Sequence, residues 1–264
     1  MHIAIFNCLK PIQGRTCPDM FKDLIDRGLD YNNDHLSIWD ISISYEIFNC
    51  FADEFPISYA GIDAIIITGA PESAYEPQSW IKEIHDVLRD VYNNHPHIKL
   101  FGACFGHQVI ASALLEDYGV RVEKNPKGWE IGVHSVEFAA EFLRHFPQFM
   151  DEDIVIQRKV QFIHQDQVTV PDGYLPKGWI IMGKNDLCRV QGLFQPYRVL
   201  TYQGHAEFDR DTTKEVLEMV NNPACRKRIG RLLINLMILI IMLAFWWTFC
   251  WDEWQVLILS GMLY

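Results

Sequence analysis

The sequence of 264 residues has little basic charge, little glycine and proline, and no paired cysteine motif. Its 23 Lys and Arg stand against 34 Asp and Glu, and a net charge of −11 argues against a nucleic-acid-binding protein, which presents a basic surface. Because 49% of the residues are hydrophobic and only 16 are Gly and 12 are Pro, we do not expect a disordered chain. The length suits one α/β domain or two small ones.

The seven cysteines include no CxxC pair and no zinc-finger spacing; they stand at positions 8, 17, 50, 104, 188, 225 and 250. The first eight residues lack the basic region of a signal peptide and favour a buried strand. We therefore expect reduced cysteines in a cytoplasmic protein, with six of the seven serving as packing residues. We predict no metal and no organic cofactor.

The C-terminal residues 226–264 differ in composition from the rest. Their four basic residues outnumber Asp252 and Glu253, which gives this tail a net charge of +2 and leaves −13 for residues 1–225. Residues 232–251 are almost wholly apolar, follow a basic cluster and end in tryptophans, as a membrane-spanning helix does. The alternatives are a helix of the core or of an oligomer interface, or an aberrant translation of a non-coding stretch. We predict a domain over 1–225 and an atypical apolar tail over 226–264.

Short apolar runs alternate with amphipathic segments in the first half of the chain. This pattern predicts strands at Ile3–Asn7, Leu36–Ile41, Ala64–Thr68 and Lys99–Ala103, and helices at Asp19–Arg27, Trp80–Tyr92 and Gln108–Asp117. Strands that alternate with helices favour a parallel sheet covered on both faces, because parallel strands need crossover connections.

After residue 120 strands predominate. Predicted strands are Gly132–Phe138, Ile154–Phe162, Trp179–Met182 and Tyr197–Tyr202, followed by a helix at Thr213–Val220. We expect these strands to form the far edge of the sheet or an antiparallel excursion from it.

Cys104 stands between Gly102 and Gly106, after a predicted strand and before a predicted helix. This is the layout of a nucleophile elbow, in which flanking side chains would collide with the adjoining strand and helix. The positive potential at a helix N-terminus favours the reactive thiolate. The Phe105 N–H, with a second donor at Gly69 or Ala70 after the third strand, is the expected oxyanion hole.

His205 and Glu207 directly follow the last predicted strand. They lie two residues apart, so their side chains project to the same side of an extended segment. The carboxylate can then orient the imidazole while the other ring nitrogen faces the thiol. The residues therefore predict a Cys-His-Glu triad.

GACFGHQ (102–108) and GHAEF (204–208) resemble the class I glutamine amidotransferases. The resemblance is closest to their stand-alone branch, which includes γ-glutamyl peptidases and fungal amidotransferase-like proteins, and it covers about residues 1–220. Further matching segments are ITGAPESAYEPQSWI (67–81), GWEIGV (128–133), HQDQV (164–168) and QGLFQP (191–196).

The resemblance implies a flavodoxin-like doubly wound sheet with Cys104 as nucleophile, His205 as base and Glu207 as its orienter. It places Gly69 and Phe105 at oxyanion positions and Gln108 at a position that contacts the γ-glutamyl substrate. His164 and Asp166 match a segment that lines the substrate pocket, although a solvated loop is an equal interpretation from the sequence.

Two departures from the family are visible. Ala206 stands where the family usually has proline between the catalytic His and Glu, which should loosen the turn without removing a catalytic group. The family also normally ends in an amphipathic helix, whereas this chain runs into the apolar segment 229–251.

The expected reaction is cysteine-dependent hydrolysis of a γ-glutamyl amide. With glutamine as substrate, the released ammonia would need an acceptor synthetase as partner; with glutathione or another γ-glutamyl peptide, no partner is needed. Because the sequence has no room for a synthetase domain, the expectation tilts toward the peptidase. The alternative is a non-catalytic or regulatory protein of this family, tethered to a membrane through its tail.

Overall fold

The computed structural model describes residues 1–11, 16–36, 42–146, 159–171 and 174–219. The thirteen strands are β1 His2–Asn7, β2 Ser44–Asn49, β3 Ala64–Ile67, β4 Lys99–Ala103, β5 Arg121–Lys124, β6 Glu130–Ser135, β7 Glu137–Phe138, β8 Lys159–His164, β9 Asp166–Thr169, β10 Ile180–Ile181, β11 Gly183–Lys184, β12 Leu193–Gln195 and β13 Val199–Tyr202. The helices are α1 Cys17–Leu36, α2 Ser79–Asn94, α3 Phe105–Leu115, α4 Ala140–Leu143 and α5 Arg210–Met219.

Seven strands form the central sheet in the order β10-β12-β13-β4-β3-β1-β2. The run from β13 to β2 is parallel, and β12 and β10 add an antiparallel edge. Taken in chain order, the parallel strands follow the doubly wound 2-1-3-4-5 arrangement of flavodoxin. The expected fold class, an α/β flavodoxin-like and mostly parallel sheet, is confirmed.

Alternation along β1 gives the sheet two apolar faces. Ile3 and Ile5 face a cluster that includes α1, whereas Ala4 and Phe6 face a cluster that includes α2 and α3. Because successive side chains of a strand point to opposite faces, one short apolar strand serves both cores. The sheet is therefore covered on both sides, as its sequence predicts.

The remaining strands pair outside the central sheet as β5–β9, β6–β8 and β7–β11, all antiparallel. Of the two arrangements expected after residue 120, both occur: β10 and β13 lie in the central sheet, and β6–β8 is an antiparallel excursion from it. The β5–β9 and β6–β8 pairs bring residues 121–135 and 159–169 together, and Lys124, Trp129, His164 and Asp166 of these segments line one pocket.

The second predicted strand is the clearest difference from the sequence interpretation. Leu36 is the last residue of α1, residues 37–41 lie outside the described part, and the strand that pairs with β1 is Ser44–Asn49. No residue of this edge strand is buried and half are exposed, so it lacks the apolar run by which the buried strands are recognised.

Parts of other predictions fall outside the described residues. They are residues 154–158 of the predicted Ile154–Phe162 strand, Val220 at the end of the last predicted helix, and the whole tail 226–264. Within the described ranges, no helix has both the length and the apolar character needed to cross a bilayer.

Candidate active site

Cys104 occupies a strained turn between β4 and α3. Its φ of 52° lies in the left-handed region, which residues other than glycine seldom adopt. A Cβ added to Gly102 would lie 2.4 Å from the Gly106 carbonyl group, and one added to Gly106 would lie 2.2 Å from the Ile67 carbonyl oxygen. Both glycines are therefore required by close backbone contact, as the elbow motif predicts.

Three neighbouring parallel strands bring the chemistry together. β3, β4 and β13 lie side by side and end at the same edge, where Gly69, Cys104 and His205 follow them. A Cβ added to Gly69 would lie 3.2 Å from His205 Cε1 and 3.8 Å from Cys104 Cβ. The sheet thus places at one point residues that are separated by 136 positions between Gly69 and His205.

His205 is held on several sides. Its Nδ1 lies 2.7 Å from Glu207 Oε1, and its main-chain N–H donates to the Gln161 carbonyl at 2.8 Å. The Phe208 ring stacks on the imidazole with centroids 4.0 Å apart and planes 9° from parallel. His205 and Glu207 are 5% and 3% exposed, so the pair is shielded from water.

The charge around His205 favours its protonated form. Burial alone would lower the pKa of His205, but the charges of Glu207 and Cys104 and hydrogen bonds to both side chains raise it to about 10. The imidazole therefore lies between a carboxylate and a thiol, each close enough to affect its protonation. This is the arrangement that a triad needs.

The two expected oxyanion donors differ in their surroundings. Phe105 is the first residue of α3, so its N–H has no partner within the helix. Gly69 lies against the side chains of both Cys104 and His205, and its main chain lowers the pKa of the Cys17 thiol, although burial raises that pKa by more.

A pocket of about 450 Å³ opens at Cys104 and His205. Apolar side chains form part of its wall, including Trp129 and Phe208. The lining carries both signs of charge: Glu72, Glu76 and Asp166 are acidic, and Lys124 is basic. Such a lining fits a small polar ligand with both a positive and a negative group.

The three predicted substrate residues all line this pocket. Gln108 donates its Nε2 hydrogens to the Asp166 carbonyl at 3.1 Å and to Gln203 Oε1 at 3.2 Å. His164 is 3% exposed, and its ring bonds to the Asp166 carbonyl and to Glu130. The Asp166 carboxylate is left at the pocket, where the Tyr75 hydroxyl lies 3.5 Å from it.

Two residues that the sequence interpretation left without a role belong to this site. Glu130 is fully buried behind His164, and Phe208 stacks on His205. Both lie in segments that carry the family resemblance, GWEIGV and GHAEF, but only their three-dimensional contacts reveal what they do.

The other cysteines in the described part are buried free thiols: Cys8, Cys17, Cys50 and Cys188. Burial raises the pKa of Cys188 to about 12 and places that of Cys17 well above its ordinary value. Within the described ranges, no group of three or more His, Cys, Asp or Glu side chains is arranged to hold a metal ion.

Comparison with known proteins agrees with this geometry. The model of the family "glutamine amidotransferase class-I" matches residues 21–221. The chain belongs to this family. A glutamine amidotransferase-like protein of Schizosaccharomyces pombe is 30% identical over 226 residues, which cover 83% of this chain and 84% of that protein.

Other members of the glutamine amidotransferase family share less sequence. Gamma-glutamyl peptidase 3 of Arabidopsis thaliana is 24% identical over 180 residues, covering 67% of this chain and 68% of the peptidase. The crystal structure of a glutamine amidotransferase from Thermotoga maritima has a TM-score of 0.63 at 18% identity and covers 94% of this chain and 96% of that one. At that identity the structural likeness supports the fold alone.

Proposed function

We propose that this amidotransferase-family protein hydrolyses γ-glutamyl amides through Cys104, His205 and Glu207. The observation that carries the proposal is the buried hydrogen bond between His205 and Glu207, beside Gly69, which also lies against the Cys104 side chain. The strained φ of Cys104 at the start of α3 supports the same role, because functional sites retain such strain.

In this reaction the Cys104 thiolate attacks the γ-carbonyl carbon, and a tetrahedral oxyanion forms. The Phe105 N–H, with Gly69 as second donor, stabilises that oxyanion. Protonated His205 gives its proton to the leaving amine, and the C–N bond breaks to leave a thioester on Cys104. His205 then takes a proton from water, whose oxygen attacks the thioester and releases glutamate.

The pocket supports a γ-glutamyl group as the recognised part of the substrate. That group carries an ammonium and a carboxylate on one carbon, which match the acidic residues and Lys124 of the lining. Gln108 and Asp166 supply oxygen acceptors for the ammonium in this proposal. His164 acts behind them, since both of its ring nitrogens already have partners.

The size of the pocket favours a γ-glutamyl peptide over free glutamine. A volume of about 450 Å³ lies in the range of about 300–1,000 Å³ that suits ligands larger than one amino acid. Lys124 and Trp129 of the lining offer the leaving group of a peptide substrate a charged and an apolar surface to contact. If glutamine is the substrate instead, the ammonia must pass to an acceptor enzyme.

Glutamate release from glutathione and from glutamine tests the proposal. We expect release by the wild type, with the peptide preferred, and a loss of about 10⁴-fold or more in kcat for Cys104→Ala. Cys50→Ala is the matched control, since Cys50 is a buried thiol that does not line the pocket, and it should retain full activity.

Each outcome separates the candidate functions. Wild-type activity on glutamine alone contradicts the peptidase and favours an amidotransferase that supplies a synthetase. Absence of release from both substrates contradicts the hydrolase and favours a non-catalytic protein. Equal loss in Cys104→Ala and Cys50→Ala means that the thiol acts through folding and not through chemistry.

A further inference from the structure

A buried carboxylate stands behind the pocket wall. Glu130 begins β6, is 0% exposed and does not line the pocket. Its oxygens accept hydrogen bonds from His164 Nε2 at 2.9 Å, from Gln191 Nε2 at 2.9 Å and from Asn185 Nδ2 at 2.5 Å. The three donors compensate the cost of burying the carboxylate, which would be strongly unfavourable without partners.

Both ring nitrogens of His164 face hydrogen-bond acceptors. Its Nδ1 lies 2.8 Å from the Asp166 carbonyl oxygen and its Nε2 lies 2.9 Å from the Glu130 carboxylate. A carbonyl and a carboxylate both accept hydrogen bonds, so an imidazole with a proton on each nitrogen satisfies both of them. Although burial raises the pKa of Glu130, the hydrogen bond and charge of His164 and the two amide donors bring it below its ordinary value. The geometry thus places the two side chains where a buried ion pair can form.

The Asp166 carbonyl that contacts His164 also fixes the orientation of the Gln108 amide. Asp166 O accepts from His164 Nδ1 and also from Gln108 Nε2 at 3.1 Å. Because a carbonyl cannot donate, the amide of Gln108 must turn its nitrogen toward Asp166 and its oxygen away. The second hydrogen of that nitrogen goes to Gln203 at 3.2 Å. In the part of the chain that the structure describes, Gln108 Oε1 is left as a hydrogen-bond acceptor at the pocket.

We propose that Glu130 is a positioning residue for substrate recognition. Its carboxylate keeps His164 protonated on both nitrogens, His164 fixes the Asp166 carbonyl, and that carbonyl sets the amide of Gln108 with its oxygen toward the substrate's ammonium group. The inference rests on the proposed function for the identity of the substrate. It adds a residue that touches neither the substrate nor the reacting atoms.

Glu130→Gln is the test variant, because it keeps the size of the side chain and removes its charge. We compare kcat/KM for a γ-glutamyl peptide and for the matching glutaryl peptide, which lacks the ammonium group. The expected result is about a tenfold loss for the γ-glutamyl substrate, carried mainly by KM, and less than about a twofold change for the glutaryl one. Glu137→Gln is the matched control: Glu137 is an exposed carboxylate on the next strand and should leave both values unchanged.

Equal losses on both substrates would overturn the proposal, since they would mean that Glu130 supports the fold without favouring the ammonium. Gln108→Leu provides a second comparison, and it should abolish the same preference for the γ-glutamyl substrate. If it does not, the link from Glu130 through Gln108 is wrong.

A readout that needs no turnover separates this inference from the proposed function. Nitrogen-15 NMR of histidine-labelled protein reports the protonation of each ring nitrogen, and His164→Gln assigns the signals. We expect His164 to be protonated on both nitrogens in the wild type and to lose a proton in Glu130→Gln. A neutral His164 in the wild type overturns the ion pair even if the enzyme is active. Inactivity on both substrates with an intact ion pair contradicts the proposed function alone.

Discussion

At the scale of single residues, the space around Gly69 shows how tightly the reacting side chains are packed. A Cβ on Gly69 would already be in contact with the side chains of His205 and Cys104, so there is no free space for a larger residue at this position. The sequence predicted Gly69 as an oxyanion donor. The structure adds that its lack of a side chain leaves His205 room to face the thiol.

Gly69→Ala should therefore reduce activity more than stability. Its Cβ would lie 3.2 Å from His205 Cε1, so the imidazole must shift by a few tenths of an ångström. We expect kcat to fall by about tenfold or more, because small displacements of a catalytic group are costly. Gly61→Ala is the control: its φ of 82° makes alanine unfavourable, but nothing lies within 4 Å of the added carbon.

Gly69→Ala should mainly lower kcat, whereas Gly61→Ala should mainly lower the free energy of unfolding measured in urea. Gly61→Ala is expected to lower the free energy of unfolding by about 1 kcal/mol and to leave kcat unchanged. If Gly69→Ala loses stability while its folded fraction keeps full activity, the packing against His205 has no catalytic importance.

The raised pKa of His205 gives a second prediction at this scale. In the folded protein this pKa is about 10, above the value of 6.5 expected in an unfolded chain. The folded state thus retains a proton that the unfolded chain releases. The resulting stabilisation is complete below pH 6.5, declines as the pH rises and is lost above about pH 10.

Glu207→Gln keeps a hydrogen-bond acceptor for Nδ1 and removes the charge that raises the pKa of His205. The free energy of unfolding of the wild type should therefore fall by more than that of the variant between pH 6.5 and 10. Urea unfolding at a series of pH values measures the difference between the two. Parallel curves across this range would show that Glu207 does not hold the proton on His205.

At the scale of elements, the two ends of the parallel strands have different tasks. The carboxyl ends of β3, β4 and β13 carry Gly69, Cys104 and His205, whereas Arg198 precedes β13 at the opposite end. Its guanidinium donates to the carbonyls of Val91, Tyr92 and His95 at 2.7, 3.0 and 2.8 Å and also to that of Ile98. Arg198 thus connects the sheet to the C-terminal end of α2, where cations are favourable.

Arg198→Met should lower stability and leave the chemistry intact. The variant leaves several carbonyls at the end of α2 without their charged donor, so we expect a loss of about 2–3 kcal/mol in the free energy of unfolding. The value of kcat for the folded fraction should remain unchanged, because the active site is at the other end of the strands. Arg198→Lys keeps the positive charge but not the branched set of guanidinium donors. Its free energy of unfolding should lie between those of the wild type and Arg198→Met.

A fall in kcat of Arg198→Met under conditions in which the protein remains fully folded would contradict this division of tasks. Thermal unfolding and initial rates on the same preparation provide the comparison.

At the scale of the whole molecule, the prediction concerns the boundary between residues 1–225 and the apolar tail 226–264. The buried residues of the two hydrophobic clusters lie between Ile3 and Phe208 in the described part, and the last residue of the proposed triad is Glu207. We therefore expect that a chain of residues 1–225 folds and hydrolyses the same substrates as the full chain.

Membrane fractionation and circular dichroism of both chains test this expectation. If the full chain sediments with membranes and the truncated one does not, the tail is an anchor. If truncation unfolds the protein, residues 226–264 complete the core and the predicted domain boundary is wrong.

Prediction from the sequence succeeded where a signal is local. The strand Lys99–Ala103 and the glycines at 102 and 106 form a continuous pattern, and the structure agrees with it. Prediction failed at β2, an exposed edge strand without a continuous apolar run, and it gave no role to Glu130. A solvent-facing strand and a buried carboxylate both depend on neighbours that are distant in the chain.

The sequence by itself determined that Cys104, His205 and Glu207 are the candidates for a triad, because each belongs to a short motif whose backbone geometry follows from nearby residues. Only the tertiary structure decided which residues stand behind them. Glu130 and His164 lie directly opposite each other in the β6–β8 pair, 34 residues apart in the chain. A shift of one residue in that register would turn the side chains of one strand to the other face and separate the pair. Strand register depends on the packing of the whole sheet, so no local pattern encodes this contact.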